Sequence, residues 1–232
     1  AGRRLKATVV VFQPLLEPAR AEKLIDELDR YNAILGQARD AEVTRDLLVE
    51  LVGQAPEAQS LVDELTRTAE QLAAQADAML AEPRTADLIG LVERFTRKPW
   101  RRGAISRRRR RKQLMHRLDW AEDRVSAAWR QLPEHAGERL AWEHRTRRRA
   151  KVARYAIEAL GSAVPDGEQR VAGYVRLVDL LGQIQDGVVM ERVLAGRAGE
   201  AVTAALAEQR RRSAEAEAAV PDAMRDVLAH RR

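Results

Sequence analysis

ILGQARDAEV, residues Ile34 to Val43, returns as LLGQIQDGVV at Leu180 to Val189. The two decapeptides share Leu, Gly, Gln, Asp and Val at the same spacing. Upstream of each, by just over twenty residues, stands a basic segment with an apolar stripe. These segments are RRLKATVVVF from Arg3 to Phe12 and AKVARYAIEAL from Ala150 to Leu160. A repeat of this length predicts two similar helical bundles related by pseudo-symmetry. Gly36 and Gly182 suit a close approach of two helices. Asp40 and Asp186 read as caps of the next helix or as partners of a neighbouring arginine.

The segments around the repeats predict an all-α chain. Aromatic residues make up only 4% of the sequence and charged residues 33%, a balance that favours helices over sheet. The opening segment carries Leu5, Val9 and Phe12 on one stripe, and Pro14 and Pro18 bracket its end. Helices are expected over Ala19–Ala38 and Val43–Val52, stopped by Gly53 and Pro56, and over Ala58–Leu80 and Arg84–Arg97. A long helix follows from Ile105 to Leu132, then one from His135 to Leu160, with a turn at Pro165-Asp166-Gly167. Glu168–Gln185 is helical, and Pro221 breaks the remainder.

Charge narrows the partner. The chain has 232 residues and a net charge of +6, but Arg94 to Arg154 alone carries +15 and the rest −9. A polyanion is the natural partner: nucleic acid, polyphosphate or an anionic membrane surface. With no cysteine, disulfides and thiolate metal sites are excluded. No apolar run approaches the roughly 18 residues of a membrane span, and a cytoplasmic location is expected.

Within the basic middle, His144 to Tyr155 reads as a helix with two faces. His144, Arg147, Lys151 and Arg154 fall at spacings of three and four and share one side, with Tyr155 at its edge. Ala150, Ala153, Ile157 and Leu160 form an apolar stripe roughly 120° away. His144 to Arg154 holds six Arg or Lys and no carboxylate, so the charges repel along the helix unless an anion relieves them.

These residues resemble the CHAD domain, the conserved-histidine α-helical domain. Its pattern is a basic helix, H-x-x-R-x-x-x-(K/R)-R-L-R, then L-G-x-x-(R/Q)-D-x-x-V, the unit occurring twice. The second copy is carried by His144, Arg147, Lys151, Arg154 and Tyr155, then Leu181, Gly182, Gln185 and Asp186. The first is carried by Arg3, Arg4, Leu5 and Lys6, then Leu35, Gly36, Arg39 and Asp40. Val152 departs from the pattern, and the first-copy His and Arg would precede Ala1, where the helix is already under way. The chain is therefore expected to continue upstream. The resemblance spans nearly the whole chain, as one domain over 1–232. The first repeat and the arginine-rich helix occupy 1–133, the second repeat 134–232.

The resemblance implies two four-helix-type bundles around a basic central groove, and non-catalytic binding of inorganic polyphosphate, with association to polyphosphate granules. The residues it implies as ligands are Arg3, Arg4, Lys6, Arg107, Arg108, Arg111, His144, Arg147, Arg148, Lys151, Arg154 and Tyr155. Phosphate or sulfate ions are expected to bind the same groups, and no cofactor or metal is implied. The chemistry agrees: a flexible chain with about one charge per phosphate and no bases needs many Arg and Lys donors and few stacking aromatics. His144 adds a donor when protonated, near or below about pH 6.5.

Two other classes compete. Non-specific nucleic-acid binding fits the run Arg107 to Arg111 and the four tryptophans, but no helix-turn-helix, RNA-recognition or zinc-finger pattern is evident. A phosphohydrolase would need a phosphate loop or metal-binding carboxylates, and neither pattern is present. Nor does a strongly apolar amphipathic face suggest a membrane surface.

Overall fold

The first basic segment forms α1 (Gly2–Phe12), which buries Ala7, Val9, Val11 and Phe12 and leaves Arg3 and Arg4 exposed. Pro14 ends it in a single 3-10 turn, Gln13–Leu15, and Leu16 then makes an isolated antiparallel bridge with Trp100. Glu17 caps the next helix by accepting the Arg20 N–H at 2.9 Å, and Pro18 fills the first helical position, where no donor is needed. That helix, α2 (Pro18–Val52), is followed by α3 (Gln59–Ala81), α4 (Pro83–Arg97) and α5 (Arg107–Arg130). Ser106 caps α5 through a bond from the Arg109 N–H at 3.2 Å. The chain closes with α6 (Ala136–Leu160), α7 (Gly167–Val193) and α8 (Glu200–Ala229). The computed structural model describes residues 1–101, 103, 106–131, 133 and 136–230, with only the backbone at 136 and 137. The helix ends expected at Ile105, Leu132 and His135 lie outside them.

The architecture is all-α. α1 packs on α2 and α2 on α3; α6 packs on α7 and α7 on α8. The two series meet where α1 lies against α6, so the two basic segments are neighbours at the centre. α4 covers α2 and α3, while α5 lies on α6 and α1. One core runs through both series: Val11, Leu24, Leu28, Val125, Ala153, Ile157, Leu177 and Leu181 are all buried in it.

A second, smaller core ties the far ends together. Leu48, Val52 and Leu61 of α2 and α3 pack with Met190 of α7, Leu194 just beyond it and Val202 of α8. Each fully buried Leu or Met contributes about 1.5–3 kcal/mol relative to exposure, enough to hold two hairpin tips in contact. Glu57 adds a polar tie, accepting the Ala201 N–H at 3.1 Å in the first turn of α8.

Two sequence expectations are corrected here. The helices expected over Ala19–Ala38 and Val43–Val52 are one 35-residue helix, about 52 Å long. It must be continuous to run from the main core to the second. The break expected at Pro221 does not occur, for α8 passes through it. Pro221 removes one helical hydrogen bond, but Val220, Ala223, Met224 and Val227 are buried around it and keep the helix continuous. Asp40 and Asp186 lie inside α2 and α7 and cap no helix, and Asp40 takes the other role the sequence allowed, pairing with an arginine, Arg3.

Candidate anion-binding groove

α6 divides its surface as its sequence divides its residues. Ala150, Ala153, Ala156 and Ile157 are buried, which fixes the rotation of the helix and carries Arg147, Lys151 and Arg154 to the side facing α1 and α7. Arg147 is held there by two bonds to α7: its Nε donates to the Val178 carbonyl at 3.2 Å and an Nη to Gln185 Oε1 at 3.3 Å. An ideal Cβ at Gly182 would stand 3.1 Å from an Arg147 Nη and 3.4 Å from its Nε. In the other series an ideal Cβ at Gly36 would stand 2.5 Å from an Arg3 Nη. Both repeat glycines therefore seat a guanidinium, not a second helix backbone as the sequence suggests. Arg3, aligned with Lys151 by the motif, occupies the place that Arg147 occupies in the second series.

The cations converge on Lys151. Burial first, then the Arg147, Arg3 and Arg154 guanidinia, hold its ammonium at about 8, with Asp40 pulling the other way. No hydrogen bond or ion pair joins that ammonium to another described residue. His144 is exposed, yet burial of part of its ring and the Arg148 charge hold its imidazole below its ordinary value, the Gln185 side chain opposing them. The shift favours the uncharged ring, which still offers one N–H to an anion.

Carboxylates also enter the site. Arg3 pairs with Asp40 at 3.8 Å, and Glu158 draws in both Arg4 at 3.1 Å and Arg154 at 3.4 Å. Tyr155 lies between the same two arginines, 5.6 Å from the Arg4 guanidinium and 4.7 Å from that of Arg154. Lys6 is occupied by Asp29. Beside this cluster opens a groove of about 870 Å³, walled by Arg3, Arg4 and Thr8 of α1, Asn32, Gly36 and Arg39 of α2, and Tyr155. Asn32 escaped the sequence reading because no spacing rule brings α2 beside α1; Arg39 was legible there only as part of the repeat.

Arg107, Arg108 and Arg111 are exposed at the start of α5. Their neighbour Arg110 stacks 4.9 Å over Trp100, which pairs with Leu16 beyond the last turn of α1. α1, of 11 residues, is about 16 Å long, so the structure sets this run apart from Arg3 and Lys151. The tryptophans divide as well: Trp142 is buried and donates to the Ala128 carbonyl at 2.5 Å, while Trp120 lies between Arg117 at 4.0 Å and Arg124 at 4.9 Å. Among the described residues no three His, Asp or Glu gather as a metal site, and no helix is long and apolar enough to cross a membrane.

Comparison with known proteins adds a family and a fold. The CHAD domain family model matches residues 1–195. No curated protein matches the chain. A solved structure described as PptA from Streptomyces chartreusis superposes with a TM-score of 0.75 at 20% identity, over 97% of this chain and 86% of that one. At that identity the superposition speaks for the fold alone.

Proposed function

The chain belongs to the CHAD domain family, and on that premise we propose that it binds inorganic polyphosphate along the groove walled by α1, α2 and Tyr155 and the adjoining cationic face of α6, and holds it without hydrolysis. The observation that carries this reading is Lys151: a half-buried ammonium with no ion-pair partner among the described residues, faced by Arg147, Arg3 and Arg154. Concentrating like charges costs free energy in the free protein, and an anion threaded among them recovers it. Guanidinium groups offer paired donors to phosphate oxygens, and the buried faces of α1 and α6 fix those donors before the ligand arrives. Residence at polyphosphate granules follows from such binding.

The test is a titration with long-chain polyphosphate over a series of salt concentrations. By analogy with single- and double-stranded nucleic acids, log K should fall against log salt by roughly 0.7–0.9 per phosphate engaged. Absence of binding at low salt, or a flat response, overturns the reading. Incubation with Mg²⁺ or Mn²⁺ should release no phosphate. Competition decides the nucleic-acid alternative: polyphosphate should displace bound DNA at comparable phosphate concentration, and efficient displacement in the other direction would favour DNA.

A further inference from the structure

Asp186 is a half-buried carboxylate in the middle of the basic cluster. It lies on α7, four residues after the glycine that seats the Arg147 guanidinium. Arg147 and Lys151 of α6 face it with opposite charge, and Asp40 of α2 faces it with the same charge. No hydrogen bond or ion pair joins its carboxylate to another described residue. Burial pushes its carboxyl above the ordinary value, Asp40 acts in the same direction, and Arg147 and Lys151 oppose them without reversing the shift. A carboxylate in this position does not neutralise the arginines by direct bonding. One turn beyond Gly182 and next to Gln185, which accepts from Arg147, it stands beside the guanidinium that an anion on these cations would approach.

Resting on the polyphosphate reading of the groove, we propose that Asp186 is a specificity-determining residue that selects the interior of a phosphate chain over its ends and over free phosphate. Repulsion from a fixed carboxylate scales with the charge brought beside it. A terminal phosphate, like a phosphomonoester, carries close to two charges above pH 7. An interior phosphate of the chain carries one. The groove's cations attract both, but the penalty from Asp186 is about twice as large for the doubly charged group. Asp40 plays a lesser part, because its side chain is 75% exposed and water screens it.

The test compares wild type with Asp186→Asn at pH 8 and constant ionic strength, using orthophosphate and long-chain polyphosphate as ligands in calorimetric titrations. Orthophosphate affinity should rise about tenfold more than chain affinity, the scale of one pKa unit of interaction with a nearby charge. Asp40→Asn should leave the ratio of the two affinities unchanged. Equal changes for both ligands, or a loss of both in an Asp186→Asn protein of normal helicity and melting temperature, overturns the proposal and makes Asp186 a positioning residue for Arg147 and Lys151. An unchanged ratio together with stronger phosphate binding by Asp40→Asn also overturns it. If long chains fail to bind wild type at all, the functional reading falls separately. Orthophosphate then still decides the role of Asp186, since Asp186→Asn must strengthen it.

Discussion

Lys151 owes its behaviour to what surrounds it, and its response to pH has a definite sign. Its ammonium titrates at about 8 in the free protein, well below its ordinary 10.5. Phosphate favours the charged form and raises that value, so binding takes up a proton. Affinity should therefore strengthen as pH falls from about 9.5 towards 7, measured at fixed ionic strength. Lys151→Arg should bind across the range without this window, because guanidinium does not titrate there. A second contrast separates organised donors from diffuse charge. Removing Lys151 and Arg3 together should cost more binding than removing Arg108 and Arg109, since direct charge-assisted bonds are worth about 1.5–3 kcal/mol each and exposed charges less. Equal losses would mean that charge density alone carries the binding. The membership of Lys151 and Arg154 in one face was legible from their spacing; the guanidinium of Arg3 beside them was not, because it comes from a helix more than a hundred residues away.

At the scale of the element, the repeat glycines give unequal outcomes on substitution. Alanine in a helix interior is better than glycine by about 1 kcal/mol. At Gly36 the new Cβ meets only the far end of Arg3, an exposed and flexible side chain. Gly36→Ala should keep or raise the melting temperature while weakening polyphosphate binding. At Gly182 the Cβ meets an Arg147 already fixed by Val178 and Gln185, so Gly182→Ala should lower the melting temperature as well. Thermal melts of the two variants check this, and identical shifts would contradict the guanidinium-seat account. The glycines stood out in sequence, yet what they accommodate did not, since an arginine and a helix backbone ask for the same missing side chain. The continuity of α2 was illegible for a related reason. LGQARDAEV holds a glycine and an aspartate, both common at helix ends, and only a core at each end of α2 keeps it from breaking there.

Across the whole molecule, α5 is tied to α7 by a buried ionic contact away from the groove. Glu122 of α5 is 2% exposed, pairs with Arg170 and lies 3.4 Å from the Tyr174 hydroxyl of α7. Removing one partner of such a pair leaves the other charge buried and uncompensated. Glu122→Ala should cost about 3 kcal/mol of stability in urea denaturation and leave groove affinity per folded molecule unchanged. A loss below about 1 kcal/mol would place Arg170 in contact with water instead. Nothing in the sequence marked this contact, because Glu122 lies among exposed charges of the same helix and its burial depends on α7.

What the sequence determined by itself is periodic or compositional. Apolar spacing set the helices and their buried sides, the two decapeptides set the duplication, and the basic middle of the chain set the sign of its local charge. These are properties of neighbours along the chain, and a helix of 3.6 residues per turn converts them directly into faces. The tertiary structure alone decided which faces meet. It brought Arg3 to Lys151, set Arg107 to Arg111 apart, and put Asp186 among cations from another helix. Those outcomes depend on how buried stripes on α1, α6 and α7 pack at a distance, and Coulomb interactions follow the separations that result.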